Sequence, residues 1–141
     1  MAAPAIILDE KAQENGLALM LRDLLTQNLE QHPEKIRAFC MLSASVAITA
    51  QDADVRLTLY FNRGSCIIYD GLATSPKLHI LADAETILAL SNVPLRAGLP
   101  DLFKPDGRAL GKSILTGKLK IKGLLLHPLT VILLTQVFSV R

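Results

Sequence analysis

The sequence predicts an α+β fold, a five-stranded and mainly antiparallel sheet covered by helices. Three observations lead there. Apolar residues recur at helical spacing from Leu17 to Leu25, a period of two takes over from Ser43, and Gly117-Lys118-Leu119-Lys120-Ile121-Lys122-Gly123 runs directly into the apolar stretch 124–140. The last combination, a strand with lysines on one face and aliphatics on the other followed by an oily helix, suits a scaffold that holds something hydrophobic.

In chain order, Leu17, Met20, Leu21, Leu24 and Leu25 form one apolar stripe with Arg22, Asp23 and Gln27 between them, which specifies an amphipathic helix. His32-Pro33 ends it. In residues 34–42, Ile36, Phe39 and Cys40 fit a helix, while Cys40 and Leu42 also continue the alternation downstream; the helical reading is preferred. Ala44, Val46 and Ile48 then alternate with Ser45, Ala47 and Thr49, and residues 51–54 make a polar turn. Val55, Leu57, Leu59 and Phe61 take one face of the second strand, against Arg56, Thr58 and Tyr60 on the other. Asn62-Arg63-Gly64-Ser65 closes a hairpin onto residues 66–69, and Leu78, Ile80 and Ala82 give a fourth strand. Runs so closely spaced predict an antiparallel meander.

Asp83 is placed to cap the next helix, with Glu85 in its first turn and Ile87, Leu88 and Leu90 on its buried side. Residues 92–107 hold Pro94, Pro100 and Pro105 and read as a loop, with a short helix expected around 109–115 before the fifth strand and the last helix.

At 141 residues the chain fits one domain, 1–141, with a helical N-terminal extension at about 1–42 and a core at about 43–140. A chain of this size buries roughly 68% of its unfolded surface, so a core forms without disulfides or metal. Half the residues are apolar, but four Phe, two Tyr and no Trp leave that content mostly branched aliphatic. Such side chains suit a filled core and a smooth cavity alike. The net charge of +2 is uneven: residues 1–100 carry 8 Lys/Arg against 11 Asp/Glu, and residues 101–141 carry 7 against 2. The basic end is also the oily end, which favours an anionic membrane surface over nucleic acid, although a solvated lysine face is the commoner cause of a charge run.

Cys40 and Cys66 lie among apolar neighbours without a Cys-x-x-Cys spacing, and the first eight residues have no basic segment before their apolar patch. Two reduced, buried thiols and a cytoplasmic location are expected. His127, Pro128, Thr130, Thr135, Gln136 and Ser139 interrupt the run 124–140, which falls short of a membrane span.

Catalytic patterns are weak. Gly107-Arg108-Ala109-Leu110-Gly111-Lys112-Ser113 has Asp106 where a phosphate loop needs its first glycine, and no strand precedes it. His32, His79 and His127 stand apart, with His79 on the outward face of its strand and His127 interfacial or capping; no metal site is expected. Cys66 between apolar residues lacks a partner base and reads as packing. No catalytic residue and no cofactor is assigned.

Four ordered segments carry a resemblance. They are Val55-Arg56-Leu57-Thr58-Leu59-Tyr60-Phe61, Gly64-Ser65-Cys66-Ile67-Ile68-Tyr69-Asp70-Gly71, Pro76-Lys77-Leu78-His79-Ile80-Leu81-Ala82-Asp83 and the stretch from Leu115 to Gly123. Together they resemble the sterol carrier protein 2 (SCP2-like) domain family in its bacterial stand-alone form, over about residues 43–140. The resemblance implies an apolar tunnel between sheet and helices that binds a fatty acyl, isoprenoid, quinone-like or sterol-like lipid without modifying it.

By position, Leu57, Leu59, Phe61, Leu78, Ile80, Leu119 and Ile121 would line it from the strands, and Leu88, Ile132 and Leu133 from the helices. Periodicity does not separate such a lining from a filled core. Lys104, Lys112, Lys118, Lys120 and Lys122 would meet an anionic membrane or headgroup. The chain departs from the family in its long 92–107 connection, in Leu124-Leu125-Leu126-His127-Pro128 at the start of the last helix, and in ending Ser139-Val140-Arg141 without a Ser-Lys-Leu type address. Two other readings are an accessory factor presenting lipid intermediates in quinone biosynthesis and a protein-interaction adaptor using its apolar face.

Overall fold

A computed structural model describes residues 5–89, 95–96, 99–100, 119–123 and 125–138. Strand β1 (Ala5–Leu8) and a short 3₁₀ turn precede α1 (Gly16–Gln31) and α2 (Ile36–Met41). Strands β2 (Ser43–Ala50), β3 (Val55–Asn62), β4 (Ser65–Asp70) and β5 (Leu78–Ala82) follow, then α3 (Ala84–Ala89). The two-residue strands β6 (Leu95–Arg96) and β7 (Leu99–Pro100) pair with each other, and β8 (Lys120–Lys122) and α4 (Pro128–Phe138) complete the described chain.

The main sheet has six strands in the order β1-β4-β3-β2-β5-β8, one more than predicted, and it is mixed. β2, β3 and β4 form the expected antiparallel run. The fourth predicted strand does not continue that meander. β5 pairs parallel with β2, because the chain from 71 to 77 crosses the outer face of the sheet instead of turning back on β4. Thr58 on β3 donates to Gly71 O and accepts from Ala73 N, both at 2.9 Å, while Lys77 N donates to Ser45 O on β2 at 2.9 Å. Alternating residues serve parallel and antiparallel pairing equally, so the pattern alone did not distinguish them.

The second correction lies at the N-terminus. Residues 5–8 belong to the sheet, not to a helical extension: β1 runs parallel to β4 with Ile6 opposite Cys66 and Leu8 opposite Ile68. It covers the edge that β4 would otherwise present.

Register places Ile6, Leu8, Ala44, Val46, Ile48, Leu57, Leu59, Phe61, Cys66, Ile68, Leu78, Ile80 and Ile121 on one face. That face meets the helices in one core cluster, to which α1 gives Leu17, Ala18, Leu21, Leu25 and Leu29. Met20, read as part of that stripe, is 51% exposed. The hairpin between β3 and β4 turns on Arg63 and Gly64, both at positive φ (44° and 105°), the geometry of a two-residue primed turn. The helix predicted around 109–115 lies outside the described residues.

Local chemistry fixes the helix ends. Asn15 Oδ1 accepts from Ala18 N at 3.1 Å to cap α1, while its Nδ2 donates to Asp70 Oδ1 and Arg56 O, fastening that cap to the end of the sheet. Asp83 caps α3 as expected, accepting from Thr86 N at 2.8 Å. The other end of α4 is held by a buried side chain: Asn28 Nδ2 donates to Val137 O at 3.0 Å and Phe138 O at 2.9 Å.

Candidate functional site

The residues predicted to contact lipid are brought together, with exceptions. Leu57, Leu59, Phe61, Leu78, Ile80, Leu119 and Leu133 all join the core cluster, and Ile121 packs against it. Ile132 is half-buried and stands outside the cluster, and the side chain of Leu88 lies outside the described residues. Alternation explains the strand members, since β3, β5 and β8 each turn one set of side chains toward the helices. Leu57, Leu59 and Leu78 are each 0% exposed and pack as a filled interior; among the described residues no cavity separates sheet from helices.

Sequence reasoning left out part of this layer. Phe39 on α2 meets Phe61 edge-on, with ring centroids 6.1 Å apart and planes at 81°. Val46 and Ile48 on β2, Leu42 and the buried leucines of α1 line the same space. The helical spacing of Leu17, Leu21 and Leu25 is the signal that marks them, but they precede the segment, about 43–140, that carries the resemblance.

The opposite face of the sheet is polar where it meets the crossover and mixed elsewhere. Ser45, Thr58, Tyr60 and Tyr69 on the strands, with Gly71, Leu72 and Ala73 of the crossover, line an open pocket of about 180 Å³. That is below the roughly 300–1,000 Å³ of ordinary small-molecule sites. Thr49 Oγ1 and His79 Nε2 share a 2.8 Å hydrogen bond on this face, and Lys122 stands opposite His79 in the β5–β8 register. Partial burial, and secondarily the Lys122 charge, hold the His79 imidazole below its ordinary range. His79 lies on the outward face of its strand, where it is half-buried and hydrogen-bonded to Thr49.

Of the predicted headgroup lysines, Lys120 and Lys122 are exposed on β8, and Lys104, Lys112 and Lys118 lie outside the described residues. Cys66 is buried and Cys40 half-buried; both thiols are free, and burial pushes the Cys66 thiol up to about 12. Among the described residues no group of His, Cys, Asp and Glu is arranged to hold a metal, and no helix is long and apolar enough to cross a membrane.

No protein-family model and no curated protein matches the sequence. Solved structures do match in fold. A structure described as UbiJ-SCP2, a ubiquinone synthesis protein, superposes with a TM-score of 0.62 at 16% identity, covering 90% of this chain and 98% of that one. A crystal structure of sterol carrier protein 2 gives a TM-score of 0.52 at 15% identity, covering 84% of this chain and 90% of that one. With the apolar layer between a mixed sheet and its helices, these likenesses identify the fold of this chain as that of an SCP2-like domain.

Proposed function

We propose that this protein binds and carries a hydrophobic lipid between the sheet and the helices, without modifying it. The observation that carries this reading is the continuous apolar layer formed by Leu57, Leu59, Phe61, Leu78, Ile80, Leu119, Ile121 and Leu133 in an SCP2-like fold. Because the described residues of that layer pack without a cavity, a tail would enter by displacing side chains at its margin, where Ile121 is half-buried. Each methylene taken from water contributes about 0.8 kcal/mol. About ten of them would supply roughly 8 kcal/mol against the cost of ordering the tail and opening the layer.

The likeness to a structure described as a ubiquinone synthesis protein favours a quinone-like or isoprenoid tail, presented to biosynthetic enzymes, as the specific form of this activity. Native mass spectrometry of protein purified from its host should show a copurifying lipid, and delipidated protein should take up a fluorescent fatty acid or isoprenoid. Absence of both would remove the proposal. Copurification with methylases or hydroxylases of quinone synthesis would select presentation over general carriage.

A further inference from the structure

The described residue with the greatest apolar exposure is Leu125, at 93%, followed by Leu126 at 81% and Leu129 at 60%. A single exposed leucine is ordinary; three within five consecutive positions form a patch. The patch is also built. His127 N donates to Gly123 O at 2.9 Å and Val131 N to His127 O at 3.2 Å, so the turn closes on itself and passes directly into α4. Gly123 has φ +94°, and a Cβ there would collide with the carbonyl oxygen of Lys77, which fixes the turn against the start of β5. Leu129 lies in the first turn of α4, and Leu125 and Leu126 in the turn just before it.

The charge of the flanking sequence is of one sign. Lys120 and Lys122 are exposed on the preceding strand. From Gly107 to Arg141 the sequence contains Arg108, Lys112, Lys118, Lys120, Lys122 and Arg141 and neither Asp nor Glu. The positive end of the α4 dipole lies at the same turn. A second copy of the chain would set these lysines against their own images around a two-fold axis, which disfavours self-association here. An apolar tip flanked by lysines matches the boundary of an anionic bilayer, where leucines enter the acyl region and lysines reach the headgroups.

We propose that residues 125–129 form a membrane-docking tip, inserting Leu125, Leu126 and Leu129 into anionic bilayers with Lys120 and Lys122 on the headgroups. This goes beyond lipid carriage, since it depends only on the outer surface and holds whether or not the interior takes a ligand.

Co-sedimentation of the full chain with phosphatidylcholine vesicles, with and without roughly one-third phosphatidylglycerol, tests it. Leu125→Ser with Leu126→Ser should weaken partitioning about 100-fold, near tenfold for each leucine left in water. Lys120→Gln with Lys122→Gln should cost about fivefold per lysine on anionic vesicles and little on neutral ones. The chain has no tryptophan, so Leu126→Trp gives a single reporter whose emission should shift to the blue and be quenched by brominated acyl chains. Failure of the wild type to bind, leucine variants that bind as wild type, or a Leu126→Trp reporter that keeps its aqueous emission on pelleted vesicles would each overturn the proposal. A dimer dispersed by the leucine substitutions, without vesicle binding, would assign the patch to a second copy instead. Fatty-acid uptake measured without vesicles should be unchanged in the double-serine variant, which keeps this test separate from that of lipid carriage.

Discussion

Asn28 offers the most direct test of how α4 is held. It sits on the buried stripe of α1 at 2% exposure, and its amide donates to two carbonyls in the last turn of α4, Val137 O and Phe138 O. The last four carbonyls of any helix lack partners within it, so this side chain supplies what α4 cannot. Asn28→Ala removes both donors. At about 1–3 kcal/mol for each buried polar group left unsatisfied, and allowing for partial relaxation, the loss should be about 2–4 kcal/mol. Against a total stability of roughly 5–15 kcal/mol that is a large fraction.

Asn28→Asp is nearly isosteric and sharper, because an ionised carboxylate only accepts and would face two carbonyl oxygens at the negative end of the helix dipole. It should cost more than alanine near neutral pH. The introduced carboxyl would have a folded pKa above its unfolded value of about 3.9, so its deficit should shrink as pH falls through the folded pKa toward the unfolded one. Urea denaturation followed by circular dichroism at several pH values gives both quantities. An alanine variant within about 0.5 kcal/mol of wild type, the range of neutral surface changes, would refute the assignment of these bonds as the anchor of α4.

Three further outcomes follow from the same structure. Gly123→Ala should destabilise by about 1–3 kcal/mol, since both its φ of +94° and the Lys77 carbonyl oppose a side chain, whereas Gly16→Ala, with no atom near the added carbon, should be neutral or slightly stabilising in the same urea titration. His79 has a folded pKa held below its unfolded value of about 6.5, so the unfolded chain binds the proton more readily; the stability it contributes is present above that value and is lost as pH falls toward the folded pKa. In His79→Gln the melting temperature should therefore fall less between neutral and mildly acidic pH than in wild type, and an equal fall would contradict the stated environment. Iodoacetamide should label Cys40 in native protein well before Cys66, whose thiol is buried and raised to about 12, with equal labelling only after denaturation; mass spectrometry of the peptides decides it.

By itself the sequence determined the local elements. Spacing at three and four residues placed α1, alternation placed β2, β3 and β5 and their inward faces, the Asn62-Arg63-Gly64-Ser65 turn placed β4, and Asp83 marked the start of α3, because each of these is set by contacts within a few residues. Most of the predicted lipid-contact residues share one layer for the same reason: a period of two assigns a strand's face without reference to its partner. Pairing was a different matter. That β5 would cross to lie parallel with β2, and that Ala5–Leu8 would close the far edge beside β4, depended on bonds to Thr58, Ser45, Gly64 and Ile68 from distant parts of the chain. Asn28 in a helical stripe reads as an interruption until the end of α4 is set against it. The oily run 124–140 shows no division in its sequence; within residues 125–138 the tertiary structure separates a buried side bearing Leu133, Leu134 and Val137 from an outward tip bearing Leu125, Leu126 and Leu129. Composition fixes how much apolar surface a segment has; only the packing of α4 against α1, α2 and the turn at Gly123 decides which part of it stays in water.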